Sequence, residues 1–179
     1  MDQTSYTVNT VHQLPTELQP AHVATRKTDD VVAFFTGATP LSNFYKSDIE
    51  LDSRSFSSVE QYYQYRKALY AEQPAKAQKI LENTLPLNCK RIGDSIMAGD
   101  GWLQEGEKAM YHACKAKFTQ NTYARQFLLA TGERTLAEAS TDLIWGSGKR
   151  LNDQDTTNRH AWTGQNRLGK VLMKIRNEI

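Results

Sequence analysis

The feature that most constrains this chain is a change of hydrophobic period at residue 57. Before it, apolar residues come in short runs rich in β-branched and aromatic side chains, of which VVAFF at 31–35 is the clearest; such runs suit a buried strand. After it the spacing turns helical. Ser57 with Glu60 three residues on reads as a capping box, opening a helix that runs to about residue 72 ahead of Pro74. Further helices are expected over 75–84, 89–97, 101–121, 122–131, 136–140 and 167–177. In the last of these, Leu168, Val171, Leu172 and Ile175 form one apolar stripe. The stretch 49–56 supplies a second strand and a turn. Between the strands, Gly37, Pro40 and Asn43 mark a structured loop. The expected fold is therefore α+β and predominantly α-helical, with a small β-sheet.

A chain of 179 residues fits one compact domain of ordinary size. Residues 1–29 hold two prolines and no sustained period, and read as a loosely ordered N-terminal extension; residues 30–179 form the domain. No apolar run approaches the roughly 18 residues of a membrane span, and MDQTSYTVNT lacks a basic stretch followed by an apolar one. No membrane partner is expected, and a cytoplasmic location is. Cys89 and Cys114 stand apart without a CxxC, which points to buried free thiols rather than a zinc site or a disulfide framework. The four histidines have no metal-like spacing, so neither metal nor cofactor is expected. A net charge of +2 does not by itself signal nucleic-acid binding.

Several constellations can carry chemistry. In SVEQYYQYRKALY, Glu60, Gln64 and Lys67 lie at i, i+4 and i+7 and share one helix face bordered by Tyr63. A carboxylate and an amine so held can serve as an acid/base and nucleophile pair, although capping accounts for Glu60 equally well. In EASTDLIWGSG, Glu138 either caps a short helix with Thr135 or faces a ligand, and Asp142 either fixes a turn or works chemically. Trp145 beside Gly146 and Gly148 offers a shelf for a flat ring, or else packs in the core. Gly164 and Asn166 precede a helix whose free N–H groups, with Arg167 and Lys170, can receive a phosphate; an ordinary Asn166 N-cap is the plainer account. Lys90 and Arg91 in CKRIGD can face a pyrophosphate or simply solvent. Trp102 can stack on a ring or seal the core.

Taken in order, FFTGATPLSNFY, FSSVEQYYQYRKA, KRIGD, GWLQEGEKAMYHACKAKFTQN, LAEASTDLIWGSG and GQNRLGKVLMKIR resemble the NADAR family, also called YbiA-like N-glycosidases, over roughly residues 33–176. The resemblance implies a compact YbiA-like domain that hydrolyses the N-glycosidic bond between a ribose and a base. It implies a nucleotide-type substrate: ADP-ribosylated guanine, free or in nucleic acid, or a phosphoribosylated intermediate of riboflavin synthesis. It places Glu60, Lys67 and Asp142 in catalytic roles. Asn43, Phe44, Gln64, Lys90, Arg91, Trp102, Glu138, Trp145, Gly146, Gly148 and Asn166 are then expected to bind substrate. Ser53 departs from the family pattern where a glycine often closes a strand turn, and Gln61 where histidine is usual. The alternative is a module that binds ADP-ribose or an NAD derivative without cleaving it.

Overall fold

The computed structural model describes residues 24–179; most of the expected N-terminal extension lies outside the described residues. Five strands and six helices follow one another as β1 (Thr25–Lys27), β2 (Val31–Phe34), β3 (Ile49–Leu51), β4 (Arg54–Phe56), α1 (Val59–Tyr70), α2 (Pro74–Leu81), α3 (Pro86–Asp94), α4 (Trp102–Gln120), α5 (Thr122–Leu129), β5 (Thr135–Glu138) and α6 (Arg167–Arg176). The expected α+β, mainly helical fold is what forms.

Two sheets replace the single one expected. β2 is central in a three-stranded sheet, antiparallel to β1 and parallel to β5. All four of its residues are buried because both faces are covered, as period-two alternation allows. Val32 and Phe34 enter the main helical core, while Val31 and Ala33 join Ala137 and Ala139 in a small cluster capped by Leu151 and Trp162. β3 and β4 form a separate hairpin. It turns through Asp52 and Ser53, both left-handed at φ 52° and 59°, the backbone of a two-residue turn that favours glycine. Ser53 thus occupies a position under strain, where the resemblance leads to the expectation of a glycine.

The helix expected over 136–140 is instead β5. Five residues give a helix too few internal hydrogen bonds to offset nucleation, whereas here each residue from Thr135 to Glu138 finds a partner on β2. The outer edge of β5 is closed by one side chain: Asn166 Nδ2 donates to Leu136 O at 2.8 Å and its Oδ1 accepts from Glu138 N at 3.1 Å. An amide standing in for a strand partner satisfies an edge that would otherwise lie open.

α4 is the spine, packing against α1, α5, α6 and β3. The capping of α1 lies one residue beyond the expected box. Ser58 is the N-cap, its Oγ accepting from Gln61 N at 3.1 Å, while Gln61 Oε1 accepts from Ser57 N at 2.7 Å. Glu60 takes no part in the cap. Cys89 and Cys114 are free and buried. No helix among the described residues is long and apolar enough to cross a membrane.

Candidate active site

With capping assigned to Ser58 and Gln61, the cavity face of α1 is free for other work. Glu60, Tyr63, Gln64 and Lys67 line a cavity of about 620 Å³. Its facing wall is the segment that leaves β5, carrying Glu138, Asp142 and Trp145; Asn43, Phe44 and Met110 add further lining, and Lys90 and Asp94 come from α3. Phe35 and Thr36, where β2 ends, complete it. The carboxyl ends of two parallel strands therefore open into the cavity, where side chains from consecutive loops converge.

Thr36 holds a left-handed backbone at φ 70°. For a β-branched residue this stores roughly 1–3 kcal/mol, a strain found where surrounding structure over-determines the chain. Asn43 is fixed on three sides. Its carbonyl accepts from Glu60 N at 3.1 Å, its Nδ2 lies 3.1 Å from Met110 Sδ, and its Oδ1 accepts from Cys114 Sγ at 3.7 Å.

Two carboxyl groups dominate the electrostatics. Glu60 is 5% exposed, and burial pushes its carboxyl up to about 7 against the lowering effect of the bond from Gln64 Nε2 to its Oε1, 2.8 Å long. Glu138 is pushed up to about 8, first by burial and then by the charges of Glu60 and Asp142, with the Lys117 ammonium opposing. Its Oε2 is buried without a hydrogen-bond partner, as is Gln64 Oε1. A desolvated carboxyl without donors favours its neutral form.

Lys67 Nζ donates to Gly93 O at 2.9 Å, and burial draws its pKa down. Tyr63 stands between two indoles: its ring packs on Trp102 at 5.3 Å and edge-on to Trp145 at 5.6 Å, and its hydroxyl accepts from Trp102 Nε1 at 3.1 Å. Burial raises the Tyr63 phenol to about 12.

Of the residues expected at the site, Glu60, Lys67, Asp142, Asn43, Phe44, Gln64, Lys90, Glu138 and Trp145 converge on this cavity. Others do not reach it. Trp102 lies behind Tyr63, and Arg91 is exposed elsewhere on α3. Gly146 and Gly148 serve backbone packing rather than a ring. A Cβ on Gly146 would collide with Ser140 Oγ, and Gly148 is left-handed at φ 77° with Thr163 Oγ1 in the place of its would-be Cβ. Asn166 closes the edge of β5. The phosphate reading of the α6 N-terminus fails on hydrogen bonding: Arg167 N and Leu168 N donate to Ile144 O and Trp145 O at 3.1 and 3.2 Å.

Asp142 lines the cavity and also organises its own loop. It is exposed, and its Oδ1 accepts from Ile144 N and Trp145 N, both at 2.8 Å. The turn reading of this residue holds, and the turn it ties sets the position of Trp145. Sequence reasoning missed Lys117, which is 0% exposed and donates from Nζ to Ser42 O at 3.0 Å. The signal was legible, because Lys117 continues the buried stripe of Met110, Ala113 and Cys114 on α4.

The NADAR domain family model matches residues 33–179. This chain belongs to the NADAR family. Its NADAR domain is similar to protein irg-1 of Caenorhabditis elegans, 34% identical over 177 residues that span 88% of this chain and 84% of that protein. N-glycosidase R617 of Acanthamoeba polyphaga mimivirus is 34% identical over 126 residues, 69% of this chain and 74% of that one. N-glycosidase YbiA of Escherichia coli (strain K12) is 27% identical over 84% of this chain and 89% of its own length. The NMR structure of E. coli YbiA matches with a TM-score of 0.70 and 26% identity, covering 92% of each chain.

Proposed function

We propose that the cavity cleaves the N-glycosidic bond between a ribose and a base in a phosphate-bearing conjugate, either ADP-ribosylated guanine or a phosphoribosylated intermediate of riboflavin synthesis. The chain is a glycosidase, the activity for which R617 and YbiA are named, and these relatives span most of its length. The observation that carries the reading is the pair of buried carboxyl groups, Glu60 near 7 and Glu138 near 8.

Breaking a ribosyl–base bond requires a proton for the departing base and negative charge beside the cation that develops at the anomeric carbon. The two carboxyls divide these tasks by their surroundings. Glu60 accepts from Gln64, which favours its ionised form, so it supplies the charge. Glu138, with Oε2 unpartnered, holds its proton more firmly and delivers it to the base. Tyr63 and Trp145 present aromatic surface to a ring, and Lys90, paired with Asp94 at 2.7 Å, offers its remaining N–H donors to a phosphate. Water adds to the cation once the base has left, and the hemiacetal opens its ring C–O bond to the aldehyde; Lys67, its basicity lowered by burial, can attack that aldehyde as a free amine, the carbonyl oxygen leaves as water, and hydrolysis of the resulting Schiff base returns the sugar.

The test is parallel incubation with ADP-ribosylated guanosine, ADP-ribosylated DNA and a phosphoribosylaminopyrimidine, followed by chromatography for free base. Release from at least one is expected, and which one assigns the substrate. No release from any, together with tight ADP-ribose binding, would identify a binding module instead. Borohydride added during turnover should leave a sugar adduct on Lys67; no adduct, with full activity in Lys67→Ala, removes the covalent step.

A further inference from the structure

A second cleft of about 790 Å³ is lined by Asn158, Arg159, His160, Trp162, Gln165 and Lys170, among others. It shares a partition with the catalytic cavity. Asn166 lines the cleft, and its Oδ1 accepts the N–H of Glu138, which lines the cavity. The partition is stiff, because Gln165 N, Asn166 N, Arg167 N and Leu168 N all donate to carbonyls of the 143–146 segment.

The cleft carries two cations that are uncommitted among the described residues. Arg167, which stands nearby in sequence, is tied to Glu107 at 2.8 Å and to Gln165 Oε1 at 2.8 Å. Arg159 and Lys170, in contrast, are exposed and their side chains make no hydrogen bond or ion pair among the described residues. Trp162 is held at its edge, Nε1 donating to Thr156 O at 3.0 Å, and packs on the small cluster behind the sheet while its ring stays partly exposed. The carboxyl group lining the cleft is that of Asp30, beside Thr135. Two cations unpaired among the described residues, a fixed indole and the amide NH2 groups of Asn158 and Gln165, whose oxygens accept from His160 N and Arg167 Nε, match the parts of a nucleotide unit. The cations suit a phosphate, the indole a base face, and the amides a base edge.

We propose that this cleft is a nucleotide-binding site separate from the catalytic cavity, taking a phosphate through Arg159 and Lys170 and a base against Trp162. The nucleotide unit can come from a free mononucleotide or from a nucleic-acid strand, and the experiment separates the two. A fluorescently labelled single strand of about 12 nucleotides, and AMP, are each titrated into the protein while the Trp162 indole N–H signal is followed by NMR.

Movement of that signal with both ligands points to the free nucleotide; movement with the strand alone points to the phosphodiester backbone. The double variant Arg159→Gln, Lys170→Gln alters only exposed, unpaired side chains. It should melt like the parent, bind the perturbing ligand roughly ten-fold more weakly, and, for a strand, lower the salt slope by about 0.7, the share of the one phosphate the pair holds. Unchanged affinity in the double variant, or an unmoved Trp162 signal with both ligands, overturns the proposal. Glu60→Gln should bind at the cleft like the parent, so loss of glycosidase activity there leaves the cleft's result intact.

Discussion

Two polar residues, adjacent on α1, meet opposite fates. Gln61 is fully employed: its Nε2 donates to Ile80 O, Leu81 O and Asn83 O at 3.0, 3.3 and 2.7 Å, and its Oε1 accepts from Ser57 N. It caps the end of α2 and the start of α1 with one side chain. Glu60, one position away, is as deeply buried, yet its single side-chain partner is Gln64. A buried amide with its partners met contributes stability, whereas a buried carboxyl with few partners costs it. The helix thus carries a structural face and a chemical face about 100° apart.

The comparison breaks if the two substitutions behave alike. Glu60→Gln should lower the rate of base release by about 10²–10⁴-fold while the melting temperature holds or rises, since the isosteric amide removes a buried carboxyl. Gln61→Ala should do the reverse, losing about 2–4 kcal/mol as buried carbonyls lose their donor, with turnover per folded molecule retained at a temperature well below the melt. Denaturant titration beside chromatographic assay separates the outcomes; a Glu60→Gln protein that merely unfolds would return this residue to the structural face.

The same comparison has a pH signature. Glu60 and Glu138 have folded pKa values raised to about 7 and about 8, above the unfolded value, so the folded state binds more protons in this window. Their contribution is full below about pH 4.5, the ordinary carboxyl value, and is lost as pH rises through 7 and 8. Thermal melts should show stability falling across that range, and Glu138→Gln should flatten the fall. A fall of equal depth in Glu60→Gln, Glu138→Gln would show that neither carboxyl is responsible.

The smallest effect lies away from both faces. Ser53→Gly should stabilise the β3–β4 turn by about 1 kcal/mol through relief of its left-handed backbone, without altering catalysis. No gain in the denaturation midpoint would mean that Ser53 is held at little cost.

Some of this was written in local chemistry. The change of period at residue 57, the Pro74 stop, the long apolar stripe of α4 and the amphipathic α6 depend on neighbours within a turn or two, so sequence alone determined a mainly helical α+β domain. The face shared by Glu60, Gln64 and Lys67 was legible for the same reason, helical spacing being fixed by backbone geometry.

What only tertiary structure decided was which polar groups lost their water and which found partners. Residues 135–138 became a strand because β2 offered a ladder over 100 residues away in the chain. Gly146 answers to the packing of Ser140 and Asp142, Gly148 to that of Thr163 and Gly164, and Trp102 packs on Tyr63. Glu60 separated from the cap because Ser58 and Gln61 took that role, and burial by α3, the Asn43 loop and the β5 exit then raised its pKa. Desolvation is the sum of everything packed around a group, and that sum comes from parts of the chain distant in sequence.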